Sequence, residues 1–392
     1  MEFSKHISAL KASPTVALNS AAKELSRKGV KVYNFAVGEP DFATPDVVCD
    51  VAIESIRNGR TKYGPPGGSP AFKQAIIDKL KRDNGLSYSQ EEIVAGIGAK
   101  ELLFHLMLAL LNEGDEVLIP APYWVSYTDQ VIATGATPIV IPMPEDHDAP
   151  RLTAEMIDAY ATDRTKLIIL NSPNNPAGYV LPEDQIKALG AYLETKPWWI
   201  ISDEIYEYMA FDHTHVSSGA VCPALMDRYI HVNGLSKGAA MTGWRVGFIA
   251  APPALAKLVK NLQSQSSTCL PPFIEDAAIK ALELGKGLLE DKFELLKSRR
   301  DLAKTLLCEI PGVRMIEPQG AFYCFIDIRA VLAEKHNSIS SFDFSRQLLE
   351  QFHVAMVPGE AFGVAGFLRL SYATDEKTIS EGIERLRQAL VG

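Results

Sequence analysis

The stretch HVNGLSKGAAMTGWRVGF, residues 231–248, runs an apolar strand pattern into a turn that holds a single lysine, Lys237, before Arg245 opens a second apolar run. Lysine is among the residues least often buried, yet small and apolar residues surround this one. Two readings are open from the stretch alone. Lys237 is either a surface-loop cation, or an amine kept unprotonated so that it can act as a nucleophile. The flanking runs, YIHVNGLS (229–236) and RVGFIAA (245–251), read as strands.

Working outward, EVLIP (116–120), TPIVIP (137–142), KLIILNSP (166–173) and WWIISDE (198–204) read the same way. Near-continuous apolar runs separated by helix-length segments are what a mostly parallel sheet covered on both faces requires. KELLFHLMLALLN (100–112) and LPEDQIKALGAYLET (181–195) supply such helices. In such a sheet, ligands gather at the carboxyl ends of the strands. NSPNNPAG, SDEIY and GLSK all fall there.

The pattern changes after about residue 285. DKFELLKSRRDLAKTLLCEI (291–310) reads as an amphipathic helix, GAFYCFIDI (320–328) and FLRLSYA (367–373) as strands, and EKTISEGIERLRQALV as a closing helix. This is the signature of an α+β unit with an antiparallel sheet. Residues 1–46 lack a core of their own and are expected to dock on it. The predicted division is a large α/β domain over 47–285 and a smaller one built from 1–46 and 286–392.

Bulk properties exclude several classes. The chain of 392 residues has a net charge of -9, which argues against a nucleic-acid partner. Its five cysteines (Cys49, Cys222, Cys269, Cys308, Cys324) are dispersed and form no C-x-x-C pair. That fits reduced thiols in a cytoplasmic protein better than disulfides or zinc. The N-terminus lacks the apolar core of a signal peptide, and LLFHLMLALL (102–111) is about half a membrane span. A soluble protein without metal is expected.

Taken singly, the polar clusters have ordinary readings. Asp203 of SDEIY could cap a helix or pair with a buried cation, and Asn175 in a turn of prolines could bond its own backbone. In order along the chain, however, AVGEPDF (36–42), TKYGPPGG (61–68), APYWVSY (121–127), NSPNNPAG (171–178), SDEIYE (202–207), MTGWRVGF (241–248) and FLRLSYA resemble the class I/II aminotransferases that use pyridoxal 5′-phosphate. The aspartate aminotransferase-like branch is the most similar.

The resemblance implies a fold-type I α/β architecture, with a seven-stranded, mostly parallel sheet. It also implies a homodimer with shared active sites, amino-acid and 2-oxo-acid substrates, and a role for each matching residue. Lys237 matches the lysine that forms a Schiff base with the cofactor. Asp203 matches the partner of the pyridine nitrogen, and Asn175 and Tyr206 match donors to the ring oxygen. Trp124 matches the aromatic group stacked on the ring. Gly98, Ala99 and Lys100, opening a helix, match the phosphate receptor together with Ser236 and Arg245.

Gly234 departs from the pattern, since many relatives carry a phosphate-binding serine there. Tyr63 matches a tyrosine that reaches the other subunit's phosphate. Arg369 matches the arginine that grips the substrate α-carboxylate through two parallel hydrogen bonds, with Gly38 beside it. Lys11, Ser13 and Thr15, with Lys100, match the segment around a distal carboxylate. Aspartate or glutamate is thus the expected substrate, with prephenate or aromatic specificity open. The same fold also hosts C–S lyases and PLP-binding regulators, although a regulator would bring an added DNA-binding domain.

Overall fold

The computed structural model describes residues 3–10, 14–143 and 151–392. A seven-stranded sheet forms its centre. Across the sheet the strands run Ile93–Ile97, Val246–Ala250, Tyr229–Gly234, Trp199–Asp203, Thr165–Asn171, Glu116–Pro120 and Thr137–Ile141. All are parallel except Val246–Ala250, which is antiparallel to both neighbours. The architecture is therefore the mostly parallel seven-stranded α/β fold that the resemblance implies.

Strand period explains the apolar runs. Ile169 and Ile201 point into one buried cluster with Leu103 and Leu106 of the Gly98–Leu110 helix, whereas Ile168 and Ile200 point into another with Ile186 and Leu189. Each strand must be apolar on both faces because helices cover both.

Two features were not read from sequence. IVAGI (93–97) is a strand, but five residues that run directly into a helix give little periodicity to detect. Val246–Ala250 is antiparallel because the segment joining it to Tyr229–Gly234, its hydrogen-bonded neighbour, is too short for a full crossover. That short connection carries Lys237 on a single helical turn, Leu235–Gly238.

A second sheet of four antiparallel strands orders Val357–Pro358, Phe367–Ser371, Tyr323–Asp327 and Arg314–Ile316. Tyr33–Asn34 pairs in parallel with Val354–Ala355, so the N-terminal segment lies against this part of the chain. Phe35 joins the same buried cluster as Phe322, Leu368 and Ile383. Among the described residues, no helix is long and apolar enough to cross a membrane.

Candidate active site

Three strands of the central sheet end side by side, with Asn171 paired to Asp203 and Asp203 to Val232. Their carboxyl ends open into a cavity of about 390 Å³, within the usual range for small-molecule sites. Lys237, Asp203, Tyr206, Asn175, Trp124, Ser236 and Arg245 all line it. Arg369 and Gly38, from opposite ends of the chain, complete the wall.

The Lys237 amine sits at the cavity wall and donates to the Gly38 carbonyl at 2.5 Å, with the Phe322 ring 5.8 Å away. Burial pushes its pKa down to about 8; Glu39 opposes that, while Arg369, Arg245 and Lys100 reinforce it. Of the two readings of the opening stretch, the solvated loop cation is thereby removed. The amine lies among other cations in a half-closed cavity, so about a tenth of it is unprotonated at pH 7, far more than for a solvated lysine.

Asp203 is 5% exposed and, among the described residues, neither caps a helix nor pairs with a cation. Its carboxylate accepts instead from the Tyr127 hydroxyl at 2.7 Å and from the Ile205 amide at 3.3 Å. Burial raises its pKa to about 6 in spite of these bonds. Glu204, the next residue, faces away into a different environment. Ser202 Oγ, Tyr229 OH, His215 Nε2 and Ser217 Oγ all bond its carboxylate. Burial would raise its pKa, but His231 and His215 outweigh that and hold it well below the usual range.

Arg369 lies in the Phe367–Ser371 strand and is 2% exposed. Its guanidinium donates to Asn175 Oδ1 at 3.0 Å and to the Ala36 carbonyl at 2.9 Å. It lies over the Tyr323 and Phe362 rings, 4.5 and 5.1 Å from their centroids. Such a buried cation is available to an incoming carboxylate.

An anion cradle closes the other end. The Gly98–Leu110 helix begins at the cavity, and its first-turn amides have no partner within the helix. Gly98 has φ +80°, and a Cβ there would lie 2.5 Å from Arg245 Nη2. A Cβ on Gly247 would lie 2.2 Å from the Ala99 nitrogen, so glycine is what lets the helix start press against the strand. Ser236 and Lys100 face the same space, and the Lys100 ammonium sits 4.8 Å above the Trp124 ring.

Gly234 does not face this cavity. Its added Cβ would meet the Val246 carbonyl at 2.7 Å, so a serine would not fit this backbone unchanged. Thr15 lines the cavity, its hydroxyl without a partner among the described residues, while Lys11 and Ser13 lie outside the described residues. Tyr63 is 90% exposed and stands apart from the cavity of its own chain.

Two tyrosines are among the wall residues that escaped the sequence reading. Tyr127 lay inside the quoted APYWVSY without a role, and Tyr323 was taken only as a strand residue. Strand register could have found Tyr323: Phe325 pairs with Arg369, which puts Tyr323, two residues away, on the arginine's face.

Residues 30–386 match the family model described as aminotransferase class I and II. A probable aspartate/prephenate aminotransferase of Aquifex aeolicus is 41% identical over 98% of this chain and 97% of its own length. An aspartate aminotransferase of a Bacillus species is 39% identical over 97% of each. Among solved structures, the aspartate aminotransferase of Rhizobium meliloti superposes with a TM-score of 0.94 at 38% identity, covering 100% of this chain and 99% of that one. The Thermus thermophilus aspartate aminotransferase with maleate gives 0.93 at 36% identity over 100% of both.

Proposed function

We propose that this chain, which belongs to the class I and II aminotransferase family and depends on pyridoxal 5′-phosphate, moves the amino group of aspartate or glutamate to a 2-oxo acid. The donor set fits the cofactor at each of its ends. An amine that is partly unprotonated shares the cavity with a buried carboxylate, and a helix start with an arginine suits a phosphate. When bound, the cofactor supplies an electrophilic carbon and a ring that accepts the electron pair left at the substrate Cα.

The chain's own residues then divide the work. Lys237 Nζ would hold the cofactor, and once freed by substrate would take the proton from Cα and return it at the cofactor carbon. Asp203 would keep the ring nitrogen protonated. Asn175 and Tyr206 would hold the ring oxygen, and Trp124 would cover one ring face. Gly98, Ala99, Lys100, Ser236 and Arg245 would hold the phosphate.

Arg369, with Gly38, would fix the α-carboxylate so that the bond to be broken stands perpendicular to the ring, which is catalysis by orientation. Lys11, Ser13, Thr15 and Lys100 would receive the distal carboxylate. The exposed Tyr63 would act on the partner's phosphate site in a cytoplasmic homodimer. We also place the boundary between a large domain (47–285) and a small one (1–46 with 286–392) across this cavity.

One observation carries the reading: Lys237, Asp203 and Arg369, far apart in sequence, meet in one cavity. Borohydride reduction of the loaded protein followed by peptide mapping should place the cofactor on Lys237; label on any other lysine refutes the assignment. Mixing the loaded protein with single amino acids should bleach its visible absorbance fastest with aspartate or glutamate. Faster bleaching by aromatic donors would overturn the substrate choice.

A further inference from the structure

Four side chains in the cavity wall form a closed circuit. Arg369 Nη1 donates to Asn175 Oδ1 at 3.0 Å, and Asn175 Nδ2 donates to the Tyr206 hydroxyl at 3.4 Å. The Tyr206 and Tyr323 hydroxyls are 2.9 Å apart, and the Tyr323 ring lies 4.5 Å beneath the Arg369 guanidinium, closing the loop. All four residues are buried. Three were expected from sequence; Tyr323 was not.

A phenol has one proton to give and two lone pairs with which to accept. For Tyr206 to aim its single proton into the cavity, its oxygen must be an acceptor in the bond it shares with Tyr323. Were Tyr206 the donor there, its proton would be spent on the wall. The direction of one hydrogen bond therefore decides whether Tyr206 can serve a ligand. Tyr323 is also fixed in position. Its ring packs at 4.5 Å against Phe322 and at 5.9 Å against Tyr206, and Arg369 covers one face.

We propose that Tyr323 is a positioning residue with two separable parts: its hydroxyl donates to Tyr206 and turns the Tyr206 proton toward the cofactor oxygen, while its ring seats Arg369 for the substrate carboxylate. The circuit thus joins the group that meets the carboxylate to the group that meets the cofactor. The proposal rests on the function argued above.

Tyr323→Phe and Tyr323→Leu separate the two parts. In the cofactor-loaded protein, Tyr323→Phe keeps the ring under Arg369 but frees Tyr206 to rotate. Its KM for amino donors should stay within about twofold, kcat should fall about tenfold, and the pH midpoint of the visible absorbance should rise by about half a unit as the ring oxygen loses a donor. Tyr323→Leu should show the same spectral shift and in addition raise KM for every donor about tenfold.

Thermal unfolding of both cofactor-free variants separates these effects from a general loss of fold. If Tyr323→Phe leaves the absorbance midpoint and kcat unchanged, the proposal is wrong. It is equally wrong if KM rises in both variants with no spectral shift, since the residue would then only pack. A wild-type protein that takes up no cofactor would instead overturn the functional reading itself.

Discussion

Replacing Asp203 by asparagine should make the cofactor-free protein more stable, relative to wild type, as the pH is raised. The carboxyl is buried and its pKa rises from 3.8 to about 6 on folding. The folded state therefore binds its proton more tightly than the unfolded chain does. The stability this contributes is fully present below pH 3.8 and is lost as the pH passes 6. A full shift of this size is worth about 3 kcal/mol. Only part of it has been lost at pH 5, and nearly all by pH 7.5, so the interval between them should carry about 1.4 kcal/mol.

Asparagine does not titrate, so the variant lacks this slope. Its other changes, such as an altered bond to Tyr127, are the same at both pH values and cancel in the comparison. Urea unfolding of both proteins at pH 5 and pH 7.5 gives the four stabilities required. The gap should move in the variant's favour by about 1.4 kcal/mol between the two, while turnover of the loaded variant collapses. A gap that is equal at both pH values would mean that Asp203 is not strained by its burial, and the account of this carboxylate would fail. The expected result is a trade of stability for activity at one atom group.

Three further outcomes follow from the same geometry. Because the Lys237 amine titrates at about 8, the rate of cofactor uptake by the cofactor-free protein should climb between pH 7 and 9; a flat stopped-flow profile would point to another nucleophile. Gly98→Ala forces a Cβ to 2.5 Å from Arg245 Nη2 at φ +80°, so it should cost about 1 kcal/mol of stability and weaken cofactor retention about tenfold in equilibrium dialysis. Arg369→Lys, which replaces a fork by a point charge, should raise KM for every amino donor about tenfold; a loss confined to acidic donors would place Arg369 at the distal carboxylate instead.

What the sequence disclosed depended on whether a residue's signal was local. The strand Trp199–Asp203 announced itself by its apolar run, and Asp203 by standing at its end. Arg369 stood between two leucines in a strand and was buried with them. Val246–Ala250 could be read as a strand but not as the antiparallel one, since direction is set by which neighbour the chain returns to. Tyr127 and Tyr323 were invisible as site residues for a related reason. Each looks like an ordinary core aromatic until a partner from elsewhere in the chain, Asp203 or Arg369, is brought against it.

The neighbouring carboxylates Asp203 and Glu204 show how the fold reserves a place for positive charge. Glu204, Glu207 and His215 bring ligand-type atoms within 4.8 Å of one another, as a cation site does. Yet four donors already fill the Glu204 oxygens, and the buried Lys79 ammonium is bonded to Glu207. That cluster has its cations within the chain. Asp203 accepts only neutral donors and has no ion pair among the described residues. An ionised carboxylate left so far from water is costly unless a cation meets it. Asp203 faces the cavity, and on the function proposed above the protonated ring nitrogen of the cofactor would be that cation. Binding and electronic activation of the cofactor would then be one electrostatic event. Asp203→Asn should therefore weaken cofactor retention as well as turnover, whereas Glu204→Gln should change stability and leave retention alone.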